Sequence, residues 1–217
     1  MNIQSGTLFI VDDDPEVRSA LGRLLRSAGY ETRVFGSARD FLLTPEHSSA
    51  GCIILDLAMP GMGGLELQRS LADAGCRRPI IFLTGKGDIS KSVRAMKGGA
   101  VNFLTKPVND CELFAAVEEA LGIDAAERAA RAEHHGVTVR LATLTPRERQ
   151  VLNELLSGRI NKQIAAELGT AEKTIKVHRS RVMRKMQAAT LVELIKLAGV
   201  AGVRPPSRMV DADHVRH

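Results

Sequence analysis

Apolar positions in the first 122 residues follow two alternating rhythms. Short β-rich runs occur at Leu8-Phe-Ile-Val11, Glu31-Thr-Arg-Val-Phe35, Cys52-Ile-Ile-Leu55, Ile80-Ile-Phe-Leu83 and Val101-Asn-Phe-Leu104. Helical spacing fills the intervals, near 15–28, 37–44, 64–74, 89–97 and 109–121. In the first interval Val17, Leu21, Leu24 and Leu25 share one face, Asp14-Pro15 supplies an N-cap and a first-turn proline, and Gly29 stops the helix. Strands alternating with helices predict βαβ units and a parallel sheet covered on both faces. The first, third and fourth runs are continuously apolar, as central strands are, whereas the second alternates and suits an edge.

From residue 123 to 143 the pattern fades into Ala, Glu and Arg with a thin apolar face, which predicts a partly helical linker broken at Gly136. Residues 144–201 then read as all helix, with segments near 146–157, 161–168, 172–187 and 190–200. The remainder, 202–217, carries Pro205-Pro206 and scattered charge and reads as a loose tail.

Charge divides the chain in the same place. Residues 1–122 hold 13 Lys/Arg against 15 Asp/Glu, a net of −2, and residues 123–217 hold 17 against 10, a net of +7. The second half is therefore the candidate for nucleic acid. Aromatics are 3% of the chain, with no Trp and one Tyr, too few to stack single-stranded bases. No apolar run approaches the ~20 residues of a membrane span, and the N-terminus lacks a secretory layout, so a cytoplasmic protein that does not engage a membrane is expected. Cys52, Cys76 and Cys111 have no metal-type spacing and fit reduced structural thiols.

The chemistry gathers at strand ends. Asp12, Asp13 and Asp14 follow the first run, Asp56 the third, Thr84 the fourth, and Lys106-Pro107 the fifth. Ligands of an open parallel sheet sit outside the carboxyl ends of its strands, so these groups predict one shared pocket. Asp14 is accounted for as a helix cap. Asp12, Asp13 and Asp56 offer the oxygen ligands that Mg2+ takes. A carboxylate attacking a phosphorylated donor needs that dication, and a fixed cation such as Lys106, to screen like charges. Asp56 is the candidate phosphate acceptor, and the Thr84 hydroxyl can hydrogen-bond a phosphate oxygen.

In these motifs, Val11-Asp12-Asp13, Asp56-x-x-Met59-Pro60-Gly61, Thr84-Gly85 and Lys106-Pro107, the first 122 residues resemble the receiver domain of two-component response regulators. The resemblance implies a flavodoxin-like, doubly wound five-stranded sheet of order 2-1-3-4-5. It further implies that Asp56 takes phosphate from a sensor histidine kinase. Mg2+ would then be held by Asp13, Asp56 and the backbone carbonyl of Ala58, with Asp12 acting through the metal's waters. Phe103 falls at the family's aromatic switch position, although a plain core Phe would equally stand there. Ala58 and Val108 depart from the usual pattern, and Ala58 is expected to alter access to the phosphoryl site.

In the second half, Asn161-Lys-Gln-Ile-Ala-Ala-Glu-Leu168, a Gly169 turn and the basic stretch Glu172–Met186 describe a helix-turn-helix. Ile175, Val182 and Met186 form its packing face; Lys173, Lys176, Arg179, Arg181, Arg184 and Lys185 supply positive charge. Leu144-Thr-Pro-Arg-Glu-Arg-Gln-Val-Leu152, Asn161–Ala165 and Lys173–His178 resemble the LuxR-type DNA-binding domain. The resemblance places Lys176, Val177 and Ser180 at base edges and Thr174, Arg181 and Arg184 near phosphates. His178 reads as a packing residue. Leu191, Leu194, Ile195 and Ala198 form an apolar stripe that packs in the module or also serves a dimer.

A receiver followed by this module resembles the FixJ/NarL family. Gly87-Asp88, Val93-Arg-Ala-Met-Lys97 and Gly99-Ala100 point to the FixJ branch. The implied function is transcription control without enzymatic activity: phosphorylation at Asp56 produces a homodimer that binds double-stranded promoter half-sites, with RNA polymerase as a further partner. Two rivals remain. A haloacid-dehalogenase-like phosphatase needs a second Asp where this chain has Ala58. A phosphate-independent regulator, switched by a protein partner or by concentration, is the alternative.

Overall fold

The computed structural model describes residues 6–44, 49–85 and 89–203, with the backbone alone at 89–91. Gly87-Asp88 and the tail from residue 204 lie outside the described residues. The chain divides into two compact units, Met1–Arg128 and Ala129–His217.

The first unit is a parallel sheet of five strands, β1 (Thr7–Val11), β2 (Glu31–Phe35), β3 (Gly51–Asp56), β4 (Ile80–Thr84) and β5 (Asn102–Thr105), in the order β2-β1-β3-β4-β5. Helices α1 (Pro15–Ser27), α2 (Ala38–Leu42), α3 (Gly64–Asp73), α4 (Ile89–Lys97) and the first part of α5 (Asp110–Ala142) connect and cover it. Successive strand side chains point to opposite faces, and that alternation builds two cores. Leu8, Ile10, Cys52, Ile54, Ile81 and Leu83 pack with Leu21 and Leu25 of α1 and Leu113, Ala116 and Val117 of α5. Phe9, Val11, Ile53, Leu55, Ile80 and Phe82 pack with Phe41 of α2, Leu67 and Leu71 of α3 and Ala95 of α4. Each fully buried large side chain contributes about 1.5–3 kcal/mol relative to exposure. The central strands β1, β3 and β4 are thereby held with their carboxyl ends aligned.

Local sequence sets the joints. The Asp14 carboxylate accepts from the backbone N–H groups of Glu16 and Val17 and caps α1, and Gly29 leaves it at φ 90°. At α3 a Cβ on Gly64 would collide with the Asp56 carbonyl oxygen and lie 3.0 Å from the Phe82 ring, so only glycine lets α3 begin this close to the end of β3.

The expected break at Gly136 is not there: α5 runs for 33 residues. Its two ends are fixed independently. Asp124, buried, accepts from the Gly51 N–H at 2.9 Å and from Arg128 Nε at 2.8 Å. Val137 and Leu141 are buried in the second core. Between them residues 129–135 are exposed all round, and strong helix formers there outweigh the ~1 kcal/mol cost of one glycine.

The second unit contains α6 (Pro146–Leu156), α7 (Asn161–Glu167), α8 (Glu172–Met186) and α9 (Leu191–Val200). Val151, Leu152, Leu155, Ile164, Ile175, Val182, Met186 and Leu194 form its core with the end of α5. Thr145 and Glu148 make a reciprocal capping box at α6. Gly169, at φ 60°, turns α7 into α8. The expected α9 stripe divides: Leu194 and Ala198 are buried, Leu191 is half-buried, and Ile195 is 46% exposed beside exposed Val192. None of the described helices is long and apolar enough to cross a membrane.

Candidate functional site

Four strand ends converge as the spacing predicts. Asp12 follows β1, Asp56 ends β3, Thr84 ends β4 and Lys106 follows β5. Lys106 Nζ lies 2.7 Å from Asp12 Oδ2 and 3.1 Å from Asp56 Oδ1. Asp12, Asp56 and Thr84 are buried, whereas Asp13 is exposed and opens the pocket to solvent. Burial pushes the Asp56 carboxyl above its ordinary range, the Asp12 charge adds to the rise, and Lys106 and the Ala58 N–H oppose it. Burial would pull the Lys106 ammonium down, but hydrogen bonds and charge from Asp12 and Asp56 outweigh it and leave its pKa raised. Lys106 is therefore a fixed cation at neutral pH.

The residues fit a divalent cation. Asp12, Asp13 and Asp56 each offer a carboxylate oxygen, and these oxygens lie within 4.8 Å of one another. One lysine leaves this cluster net negative. Asp12 Oδ2 meets the Lys106 ammonium at 2.7 Å, and a carboxylate oxygen so paired keeps a second lone pair for a metal's water. An all-oxygen set with open positions suits Mg2+.

The Thr84 hydroxyl donates to the Gly85 carbonyl at 3.1 Å, a bond it would exchange to reach a phosphoryl oxygen. Phe103 is 43% exposed on edge strand β5, so the core reading of this residue is corrected. The fifth strand must carry alternate side chains outward, and only Leu104 there turns inward.

On α8, Lys173, Thr174, Lys176, Val177, Ser180, Arg181 and Arg184 are all exposed, while Ile175, Val182 and Met186 are buried behind them. Arg179 is half-buried, with Nη1 3.4 Å from Asn161 Oδ1 of α7. His178 is half-buried, as a packing residue should be. Phosphate contacts set the salt dependence of DNA binding. Arg184→Ala is thus expected to weaken binding evenly across duplex sequences and to lower the slope of log K against log salt by about 0.9. Fluorescence anisotropy across a salt series measures it.

Lys185 does not belong to this exposed set. Its Nζ lies 2.6 Å from Glu148 Oε2 and 2.9 Å from the Thr143 carbonyl. Glu148 is 2% exposed, and the Lys185 hydrogen bond holds its carboxyl down to about 2. The sequence reading passed over Glu148, although Thr145-x-x-Glu148 is a capping-box signal.

Comparison with known proteins finds a family for each unit. Residues 8–118 match the response regulator receiver domain, and residues 142–198 match the bacterial regulatory proteins of the luxR family. The chain is 44% identical over 196 residues to nodulation protein W of Bradyrhizobium diazoefficiens, covering 90% of this chain and 86% of that one. It is 43% identical over 200 residues to transcriptional regulatory protein FixJ of the same organism, covering 91% and 97%. Among solved structures, response regulator StyR superposes with a TM-score of 0.84 at 45% identity, covering 90% of this chain and 98% of that one. Full-length FixJ from B. japonicum superposes at 0.57 and 41% identity, covering 91% and 97%. With a receiver domain in its first unit and a LuxR-type domain in its second, the chain belongs to the two-component response regulators that join a receiver to a LuxR-type DNA-binding domain, transcription regulators rather than enzymes.

Proposed function

We propose that Asp56 is phosphorylated by a sensor histidine kinase and that this controls dimerisation and sequence-specific DNA binding. The observation that carries it is the meeting of Asp12, Asp13, Asp56 and Lys106 at the strand ends, with Asp56 buried at the end of β3 and 3.1 Å from the Lys106 ammonium. An Asp56 oxygen attacks phosphorus; the O–P bond forms as the N–P bond of the donor phosphohistidine breaks, and the imidazole leaves. Asp13, Asp56 and the Ala58 carbonyl would hold Mg2+, with Asp12 acting through its waters, and the ion would supply charge screening there. Lys106 passes from the resting carboxylate to the phosphoryl group. Thr84 donates its hydroxyl to a phosphoryl oxygen and draws its loop inward, and the exposed ring of Phe103 turns in behind it.

The receiver in this reading is 1–122 and the DNA module 144–201. Dimerised chains place two copies of α8 on two half-sites, as two-fold symmetry requires. Lys176, Val177 and Ser180 face base edges; Thr174, Arg181 and Arg184 lie near phosphates, and Lys173 and Arg179 add positive charge to the DNA-binding surface. The chain works in the cytoplasm, with RNA polymerase as its downstream partner.

The test compares wild type and Asp56→Asn on a duplex selected from random sequence, with and without a small phosphodonor. Wild type is expected to tighten at least about tenfold with donor, near the coupling typical between sites, and the variant not at all. Equal affinity of wild type and variant, unchanged by the donor in both, would favour the phosphate-independent regulator; equal tightening in the variant would overturn Asp56 as the acceptor.

A further inference from the structure

Arg18 stands in the first turn of α1, where the helix dipole disfavours a cation by about 0.3–1 kcal/mol. It also stands beside a pocket built to receive a dication. Both placements oppose its charge, so its position calls for a compensating contact. That contact is a 2.6 Å hydrogen bond from Arg18 Nη1 to the backbone carbonyl of Asp12. The guanidinium lies against the β2–α2 turn, where a Cβ placed on Gly36 would be 3.6 Å from Arg18 Cζ.

The Asp12 carbonyl belongs to the peptide plane joining Asp12 to Asp13. That plane is rigid, so holding its tilt restrains ψ of Asp12 and φ of Asp13, two of the dihedrals that set how the two side chains are directed. Its neighbours are also held: Asp12 N–H donates to the Phe35 carbonyl at 3.1 Å, and Asp12 Oδ1 accepts from the Asp14 N–H at 2.9 Å. Arg18 supplies the remaining restraint, on the plane itself. Mg2+ tolerates little departure from octahedral angles.

Resting on the metal-site reading above, we infer that Arg18 is a positioning residue for the cation: it orients the Asp12–Asp13 peptide so that both carboxylates face one ion. Groups that orient metal ligands in this way are worth about 10–100-fold in metal affinity. Simple electrostatics predicts the opposite sign, since deleting a nearby positive charge should tighten Mg2+ binding.

Calorimetric titration of the full chain with MgCl2 decides between them, paired with phosphoryl uptake from a small donor read by intact mass. Arg18→Met is expected to weaken Mg2+ binding about tenfold. Uptake at saturating Mg2+ returns to within about twofold of wild type, because the acceptor is untouched. Arg18→Lys, which keeps a charged donor of similar reach, recovers most of the affinity. Should Arg18→Met not fold, Arg18→Gln, too short to reach the carbonyl, takes its place with the same expectation. Unchanged or tighter Mg2+ binding in these variants, with wild type binding normally, overturns the role of Arg18 alone. A wild-type chain that neither binds Mg2+ nor takes up phosphate overturns the pocket reading and this inference with it.

Discussion

Asp56→Asn is expected to take up no phosphoryl group from any donor and to keep its fold. An amide nitrogen is no nucleophile toward phosphorus, and the neighbouring carboxylates have other roles in this reading. Asp12 is tied to Lys106 and to the Asp14 N–H, and Asp13 follows a different strand. The stability side follows from the charges. Asp56 is 5% exposed, and burial together with Asp12 disfavours its ionised form. Removing that charge relieves repulsion within the acidic cluster, while Asn can still accept from Lys106. A buried charge whose partner keeps another counter-ion is inexpensive to neutralise. The melting temperature should thus fall by no more than about 3 °C, or rise. A variant that unfolds would show that Asp56 is a structural ion-pair residue rather than an acceptor.

Lys185→Met carries the second large effect, and it falls on the DNA module. Among the described residues it leaves the buried Glu148 carboxylate with the Thr145 backbone N–H, 2.8 Å away, as its hydrogen-bond donor. Breaking a buried pair from one side costs about 3–5 kcal/mol; the partly exposed lysine puts this case near 3 kcal/mol. Amide exchange in α6 and α8 should accelerate accordingly, and duplex binding should fail through unfolding rather than through a lost phosphate contact. Glu148→Gln in the same chain should recover part of the loss. The pH dependence has a definite sign. A depressed carboxyl pKa stabilises the fold above the unfolded value near 4.5, and that contribution is lost as pH falls toward about 2. Wild-type α6 should lose protection across this interval, and Glu148→Gln should lack that component.

The pocket was readable because its residues stand where strands end. Runs such as Cys52–Leu55 can only be buried strands, so the polar residue that stops each run must lie at the sheet's carboxyl edge. The helix-turn-helix was readable for a related reason: Ile175, Val182 and Met186 repeat on one face, and all three are buried. Two features escaped. The middle of α5 has nothing larger than alanine for an apolar face, a pattern that suits both a loose linker and a continuous exposed helix. Its anchors, Asp124 on Gly51 and Val137 in the second core, are contacts distant in sequence. The Lys185–Glu148 pair is the other: Lys185 reads in sequence only as part of the positive charge of α8, because composition does not say which way a lysine points. Its place three residues after Val182 and next to Met186 puts it on the flank of the buried face, where Glu148 waits.

The measurement that bears most directly on the central claim is intact mass of wild type and Asp56→Asn after incubation with Mg2+ and a small phosphodonor, paired with light scattering after size exclusion. One phosphoryl increment on wild type, none on Asp56→Asn, and a shift from monomer to dimer in the modified sample alone are the predicted results. A phosphoryl increment on Asp56→Asn, or none on wild type under conditions that load other receivers, would contradict the assignment of Asp56 as the residue through which this regulator is switched.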